Sequence, residues 1–357
     1  MRKYRAGIIG ATGMVGQRFI TLLKDHPWFE ITALAASARS SGKKYTEAVE
    51  GRWKLNEAIP DKVKDMIVKD ANNIDLIKKD VDFVFCAIEL DKEETKKIEE
   101  AYAKAEIPLV SNNSAARWIE DTPMLIPEIN HAHLDIIDVQ RKRLGVKKGF
   151  IAVKPNCSIQ SYVPALTPLM AHGVKEVAVC TYQAISGAGK NFKDWPEMID
   201  NVIPYIGGEE EKSEQEPLKV WGKIDGGAII PAESPAITSQ CIRVPATDGH
   251  MAAVFMAFQN KPDIGEVISI WREFKGRPQE LSLPSAPKQF LHYFEEDNRP
   301  QTGLDRMLEN GMAVSLGRLR PDSQYDYRFI GLSHNTLRGA AGGAVLLAEL
   351  LCAEDFI

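Results

Sequence analysis

The chain has 357 residues, enough for about two domains, each with its own core. Hydrophobic residues make up 44% and charged residues 26%, ordinary for a soluble globular protein, and a net charge of −5 gives no electrostatic grip on nucleic acid or an anionic membrane. No apolar run approaches the about 20 residues that a membrane span needs.

The opening MRKYRAGIIGATG runs directly into a strand and turn, with no apolar leader or small-residue cleavage site, so a cytoplasmic location is expected. YRAGIIG (4–10) reads as a strand, and MVGQRFITLLKDH (14–26) has apolar residues at helical spacing. EITALAA (30–36), DFVFCAI (82–88) and IPLVSNN (107–113) are further strands, and KEETKKIEEAYAKAE (92–106) is a charged amphipathic helix. This alternation predicts an α/β fold with a Rossmann-type parallel sheet and covering helices.

After residue 155 the pattern changes. SIQSYVPALTPLMAHG (158–173) reads as one helix. Extended segments follow at 175–186, 238–246, 250–259 and 324–333. They predict an α+β catalytic and dimerisation domain with a mostly antiparallel sheet. Residues 187–237 are rich in Gly and Glu and weakly patterned, as functional or subunit-contacting loops often are. TLRGAAGGAVLLAELLC (336–352) is an apolar helix expected to return to the first domain. The expected division is therefore 1–154 plus 335–357, and 155–334.

Three glycines, Gly10, Gly13 and Gly16, lie three apart between the first strand and helix. Such a turn lets the backbone approach a pyrophosphate that rests on the helix N-terminus, although a glycine-rich turn without a ligand has the same look. A dinucleotide site usually has an acid near the end of the second strand. Here AASARSSGKK (35–44) has none. Ser37, Arg39 and Ser40 suit a 2′-phosphate and favour NADP over NAD, the alternative being a solvated basic loop.

The five cysteines (86, 157, 180, 241, 352) are scattered, with no zinc spacing, and no metal site is expected. Cys157 stands apart from the others. KPNCSIQ brings it to what reads as a helix start, where backbone N–H groups would lower a thiol's pKa. Oxidising an aldehyde through a thiolate also needs an acid or base, oxyanion donors, a hydride acceptor and an acyl acceptor. His250 opens an apolar strand after RVPATDG, and Arg243 flanks the same turn, so the two can face one pocket. Each alone has a plain structural alternative.

GATGMVGQRF, SARSSGK, SNNSAARW, PNCS, TYQAISGAGK, IGGEEEK, IRVPATDGH and NTLRGAAGGAV together resemble the aspartate-β-semialdehyde dehydrogenases, in the branch found in archaea, fungi and some bacteria. The resemblance covers essentially the whole chain. It implies Cys157 as nucleophile, Asn156 beside it, Gln183 orienting the thiohemiacetal and thioester, and His250 as acid/base, first accepting and later donating a proton. Arg243 would clamp the substrate carboxylate, Glu209 or its neighbour Glu210 would take the amino group, and Lys212 with Arg117 would bind phosphate. Gly10, Thr12, Gly13, Met14 and Val15 of the turn, with Ser37, Arg39, Ser40, Ser186, Gly187 and Asn335, would hold NADP. The implied reaction interconverts aspartate semialdehyde and aspartyl phosphate for lysine, threonine and methionine biosynthesis, with inorganic phosphate, in a homodimer or homotetramer. Glu89-Leu90 and His334 depart from the family pattern. The rival readings are a malonyl-CoA reductase, an N-acyl-glutamyl-phosphate reductase, or a non-catalytic NADP-binding sensor of the same fold.

Overall fold

Short runs rich in Val, Ile and Phe become strands covered on both faces. A computed structural model describes residues 3–357. The first sheet is built from β1 (Tyr4–Ile9), β2 (Phe29–Ala36), β3 (Lys69–Asp70), β4 (Phe83–Cys86), β5 (Pro108–Ser111) and β6 (Phe150–Val153). Its order is β3-β2-β1-β4-β5-β6, and every pairing is parallel. β4, β5 and β6 are buried at every residue, as strands covered on both faces must be. The order reverses between β1 and β4, and ligands bind at such a switch point.

The second sheet contains β7 (Val174–Gln183), β10 (Ala236–Arg243), β11 (His250–Phe258), β12 (Leu291–Phe294), β13 (Val314–Pro321) and β14 (Tyr327–Ser333). β8 (Lys223–Asp225) and β9 (Ala228–Ile230) form a separate hairpin. The order is β10-β7-β11-β14-β13-β12. The three central pairings are antiparallel and the two outer ones parallel. The segments 291–294 and 314–321 carry no strand reading in the sequence. β12 is short, and β13 is broken by an irregular register between Gly317 and Arg320.

Three segments differ from their sequence reading. Residues 158–173 are not one helix. A 3-10 turn at Ser158–Ser161, a helical turn at Val163–Leu166 and a second 3-10 stretch at Thr167–His172 replace it. Pro164 and Pro168 remove the amide hydrogens that a continuous helix would use. The expected long loop 187–237 contains a helix, Glu209–Val220, with Pro217 inside it. The C-terminal helix runs Gly342–Ala353 and is preceded by a wide turn, Leu337–Ala341, in which Ala340 leaves helical geometry at φ −143, ψ −108.

That last helix is buried from Gly342 to Cys352. It packs in one apolar cluster with Ile8, Phe19, Phe29, Phe83 and Phe150 of the parallel sheet and its covering helix. The chain end therefore shares a core with the chain start. A buried ion pair fixes the approach to this helix: both terminal guanidinium nitrogens of Arg338 donate to Glu128, and Nη1 lies 2.7 Å from Oε1. Arg338 also donates to Gln160 Oε1 at 3.3 Å and stacks over Phe290 at 4.5 Å.

Candidate active site

The glycine-rich turn leads from β1 into α1 (Met14–Leu23). Gly10 has φ +88, and a Cβ there would meet the Ala87 carbonyl oxygen at 2.2 Å. Only glycine lets this turn press against the end of β4. No side chain caps α1, which leaves its first N–H groups without a side-chain partner where Gly13 and Met14 line the cleft. The cleft has a volume of about 530 Å³; Gly10, Thr12, Gly13, Met14 and Ser37 line it.

Other expected cofactor contacts lie elsewhere. Val15 packs against the apolar cluster, and Arg39 is exposed outside the lining. Ser40 is buried, with Arg52 Nη2 at 3.4 Å from its Oγ. The basic side chains that do line the cleft are Arg52 and Lys54. Gln17 sets them there, donating to Thr12 O at 3.0 Å and Arg52 O at 2.8 Å and accepting from Lys54 N at 2.8 Å. The sequence signal was GRWK (51–54), a basic pair beyond the usual place at the end of the second strand. Glu89 also lines the cleft and comes close to Gly13.

A second cluster centres on Cys157. β6 delivers Asn156 and Cys157 to the Ser158–Ser161 turn. Asn156 Oδ1 accepts from Ser158 N and Ser158 Oγ, both at 2.7 Å, which fixes its amide. Its Nδ2 donates to both oxygens of Glu209 at 3.0 Å. Gln183 Nε2, at the end of β7, donates to Glu209 Oε2 at 3.2 Å, and Lys212 Nζ to Oε1 at 2.8 Å. Burial would raise the Glu209 pKa, but Lys212, Asn156 and Gln183 outweigh it and hold the carboxyl below its ordinary range. Glu210 points elsewhere. It accepts from Gln240 at 2.7 Å and from Cys241 N at 3.3 Å on the β10 edge, so of the two glutamates only Glu209 enters the cluster.

Arg117 is buried and held by Glu216, 2.8 Å from Nη1 to Oε1, and by the Lys154 carbonyl at 3.0 Å. Glu216 also accepts from Asn156 N at 2.6 Å. One carboxylate thus ties Arg117 to the backbone beside the sulfur. Glu216 carried no sequence signal; it sits among charged residues one turn from Lys212.

Arg243 ends β10 and donates from Nη1 to Ala184 O at 2.7 Å. The Ala184 N–H donates to His250 Nδ1 at 3.1 Å. A backbone N–H can only donate, so the neutral ring carries its hydrogen on Nε2. That Nε2 is buried and unpartnered. Burial, reinforced by Arg243, pushes the ring's pKa down to about 3. His250 is therefore neutral here and presents its Nε2–H as a hydrogen-bond donor. Gly187 passes so close that a Cβ would sit 2.9 Å from Arg243 Nη1 and 3.0 Å from His250 Nε2.

Asn335 accepts from Gly249 N and donates to Ser186 Oγ, both at 2.8 Å. The Ile185–Ala188 turn thus joins the two sites: Gly187 touches Arg243 and His250, while Gly189 lines the cleft. His334 is buried beside Asn335, its pKa lowered to about 4 chiefly by burial.

Cys157 itself does not have the depressed pKa expected at a helix start. Burial, then Glu209, pushes it up to about 11, against Lys154, Arg117 and Arg243. The turn after it is a four-residue 3-10 segment, too short to supply a strong dipole. Cys86, Cys241 and Cys352 are buried, and Cys180 is half-buried on β7.

Two family models match the chain: semialdehyde dehydrogenase, NAD binding domain, over residues 5–137, and semialdehyde dehydrogenase, dimerisation domain, over 166–338. The aspartate-semialdehyde dehydrogenase of Methanothermobacter thermautotrophicus is 44% identical, covering 97% of this chain and 98% of its own length. That of Saccharomyces cerevisiae is 39% identical, covering 99% and 98%. The crystal structure of aspartate semialdehyde dehydrogenase with NADP from Candida albicans superposes over 100% of both chains, with TM-score 0.88 and 39% identity. The chain therefore belongs to the aspartate-semialdehyde dehydrogenase family, in the branch that includes archaeal and fungal members.

Proposed function

We propose that the chain interconverts L-aspartate 4-semialdehyde and L-aspartyl 4-phosphate through a thioester on Cys157, with NADP as cofactor. The observation that carries this reading is an anion and a cation gathered around Cys157, Glu209 and Arg243, with the donor His250 beside Arg243 across Gly187. An amino acid aldehyde has an ammonium for Glu209 and a carboxylate for the Arg243 fork. The cleft fits a dinucleotide: the cradle at Gly10 admits no Cβ, and the helix start beside it has no side-chain cap. Arg52 and Lys54 suit the extra phosphate of NADP better than Arg39 does.

The chain's own residues divide the work. Cys157 attacks the aldehyde carbon. The developing oxyanion meets His250 Nε2–H, and the substrate amino group stays on Glu209. NADP, when bound, supplies the hydride acceptor. Phosphate, drawn by Lys212 and by Arg117 on its Glu216 support, then takes the acyl group and frees the sulfur. In the reverse direction the same groups make the semialdehyde for lysine, threonine and methionine synthesis. In this reading residues 1–154 with 335–357 carry the cofactor. Residues 155–334 carry the substrate and the contact with a second copy, in a homodimer or homotetramer. Five unpaired cysteines suit a reducing cytoplasm.

The test is phosphate-dependent NADPH formation from aspartate semialdehyde. Wild type should show it and Cys157→Ala should lose it while binding NADP nearly as well. No phosphate-dependent rate in wild type, or a retained one in Cys157→Ala, overturns the reading.

A further inference from the structure

Arg52 and Lys54 bring positive charge to the wall of the dinucleotide cleft, and they are held differently. Arg52 donates to uncharged groups, the Ala48 carbonyl and Ser40 Oγ. Lys54 is taken by an anion: its Nζ lies 2.8 Å from each carboxylate oxygen of Asp194. The two residues are 140 positions apart. Lys54 is fixed at its backbone to Gln17 of α1, beside the parallel sheet. Asp194 belongs to the segment after β7 of the second sheet, five residues beyond Gly189, which itself lines the cleft.

A closed turn presents the Asp194 carboxylate. Asn191 Oδ1 accepts from Lys193 N at 2.8 Å and from Asp194 N at 3.0 Å, and Asn191 N donates to Asp194 Oδ2 at 3.4 Å. Trp195 N closes the turn on Asn191 O at 2.9 Å, and Lys190 Nζ sits over the Trp195 ring at 4.5 Å. The acid is therefore the placed partner, and the lysine, on its four-carbon stem, is the movable one. Their side chains are 30% and 33% exposed. An ion pair this open to water is weak and exchangeable. A phosphate carries more negative charge than a carboxylate, and one arriving at Lys54 meets Asp194 as a like charge.

We propose that Asp194 is a built-in competitor for Lys54, from which a phosphate of the dinucleotide must take the lysine; this rests on the reading of the cleft as the dinucleotide site. Asp194 then acts as a specificity-determining residue without touching the cofactor: it lowers affinity by occupying the cation that a phosphate needs. Its recapture of Lys54 helps the cofactor leave. Dinucleotides bring two kinds of phosphate, the pyrophosphate common to NADP and NAD and the 2′-phosphate of NADP alone, and the two cofactors tell them apart.

The test is calorimetric titration of the full chain with NADP and, separately, with NAD, in wild type, Asp194→Asn, Lys54→Met and the double variant. Asp194→Asn keeps the side chain's shape and removes its charge. It should bind tighter by about 3- to 10-fold, the scale of releasing one partly exposed ion pair and its repulsion. The gain should be absent when the same change is made in Lys54→Met. A gain with NADP alone assigns the competing group as the 2′-phosphate, and a gain with both assigns the pyrophosphate. Unchanged or weaker binding of both cofactors by Asp194→Asn overturns the proposal. So does a gain that persists in the Lys54→Met background, because Asp194 would then act by general repulsion rather than through the lysine. Wild type that binds neither dinucleotide overturns the reading of the cleft and the proposal with it, whereas wild type that binds while Asp194→Asn gains nothing overturns the proposal alone.

Discussion

Glu209 faces two ways, and its substitution separates two effects. Its carboxylate gathers Asn156, Gln183 and Lys212, and its charge raises the Cys157 pKa. Glu209→Gln should cost about 1.5–3 kcal/mol of substrate binding, the worth of a hydrogen bond to a charged group, seen as a KM rise of roughly 10- to 100-fold. The same variant should alkylate at Cys157 faster at a given pH, because a repelling charge has gone. A slower alkylation would contradict the electrostatic assignment. Arg243→Lys should raise KM while moving kcat little, since lysine keeps the charge and loses the fork; steady-state kinetics checks this. Cys157, Arg243 and His250 were visible from their own stretches, PNCS and RVPATDGH, whereas Asn156, Gln183, Glu209 and Lys212 entered through the family resemblance. Arg52 and Lys54 had only the displaced basic pair of GRWK, and Glu216 had no signal. Glu216 reaches Asn156 across 60 positions and Arg117 across 99, and no local pattern in EEEKSEQEPLKV reports that.

Elements carry the site by being tied together rather than by their individual regularity. The buried Arg338–Glu128 pair joins the wide turn before the C-terminal helix to the short helix Pro127–Asn130, and Gln160 joins it to the segment after Cys157. Arg338→Met should destabilise the fold by about 3–5 kcal/mol, because Glu128 stays buried without its partner. Adding Glu128→Gln should recover a large part of that loss in denaturant unfolding. Additive losses would mean the pair is not the cause. The parallel strands β1, β2, β4 and β5 were legible as apolar runs, but the helix expected at 158–173 was not what formed. Its apolar spacing suggested regularity, and two prolines set the outcome. The helix at 209–220 was hidden for the opposite reason: glutamates and Pro217 masked a segment that tertiary contacts stabilise.

At the scale of the molecule, two six-stranded sheets meet at a site whose histidines are buried and neutral. His250 and His334 titrate at about 3 and about 4 in the fold, against an ordinary value of 6.5. The unfolded chain therefore binds protons first as pH falls. Stability present above pH 6.5 is lost progressively between 6.5 and about 3. Thermal unfolding from pH 7 to pH 5 should show a falling Tm, with a shallower slope in His250→Gln/His334→Gln; equal slopes would rule these rings out as the cause. The order in which the chain is made adds one more consequence. Gly339 forms the wall against Cys157, and it follows every other member of the cluster in sequence. A ribosome makes that wall last. Until it emerges, Cys157 has no pocket, so the growing chain passes through synthesis with an ordinary solvated thiol and without the partners that direct its chemistry.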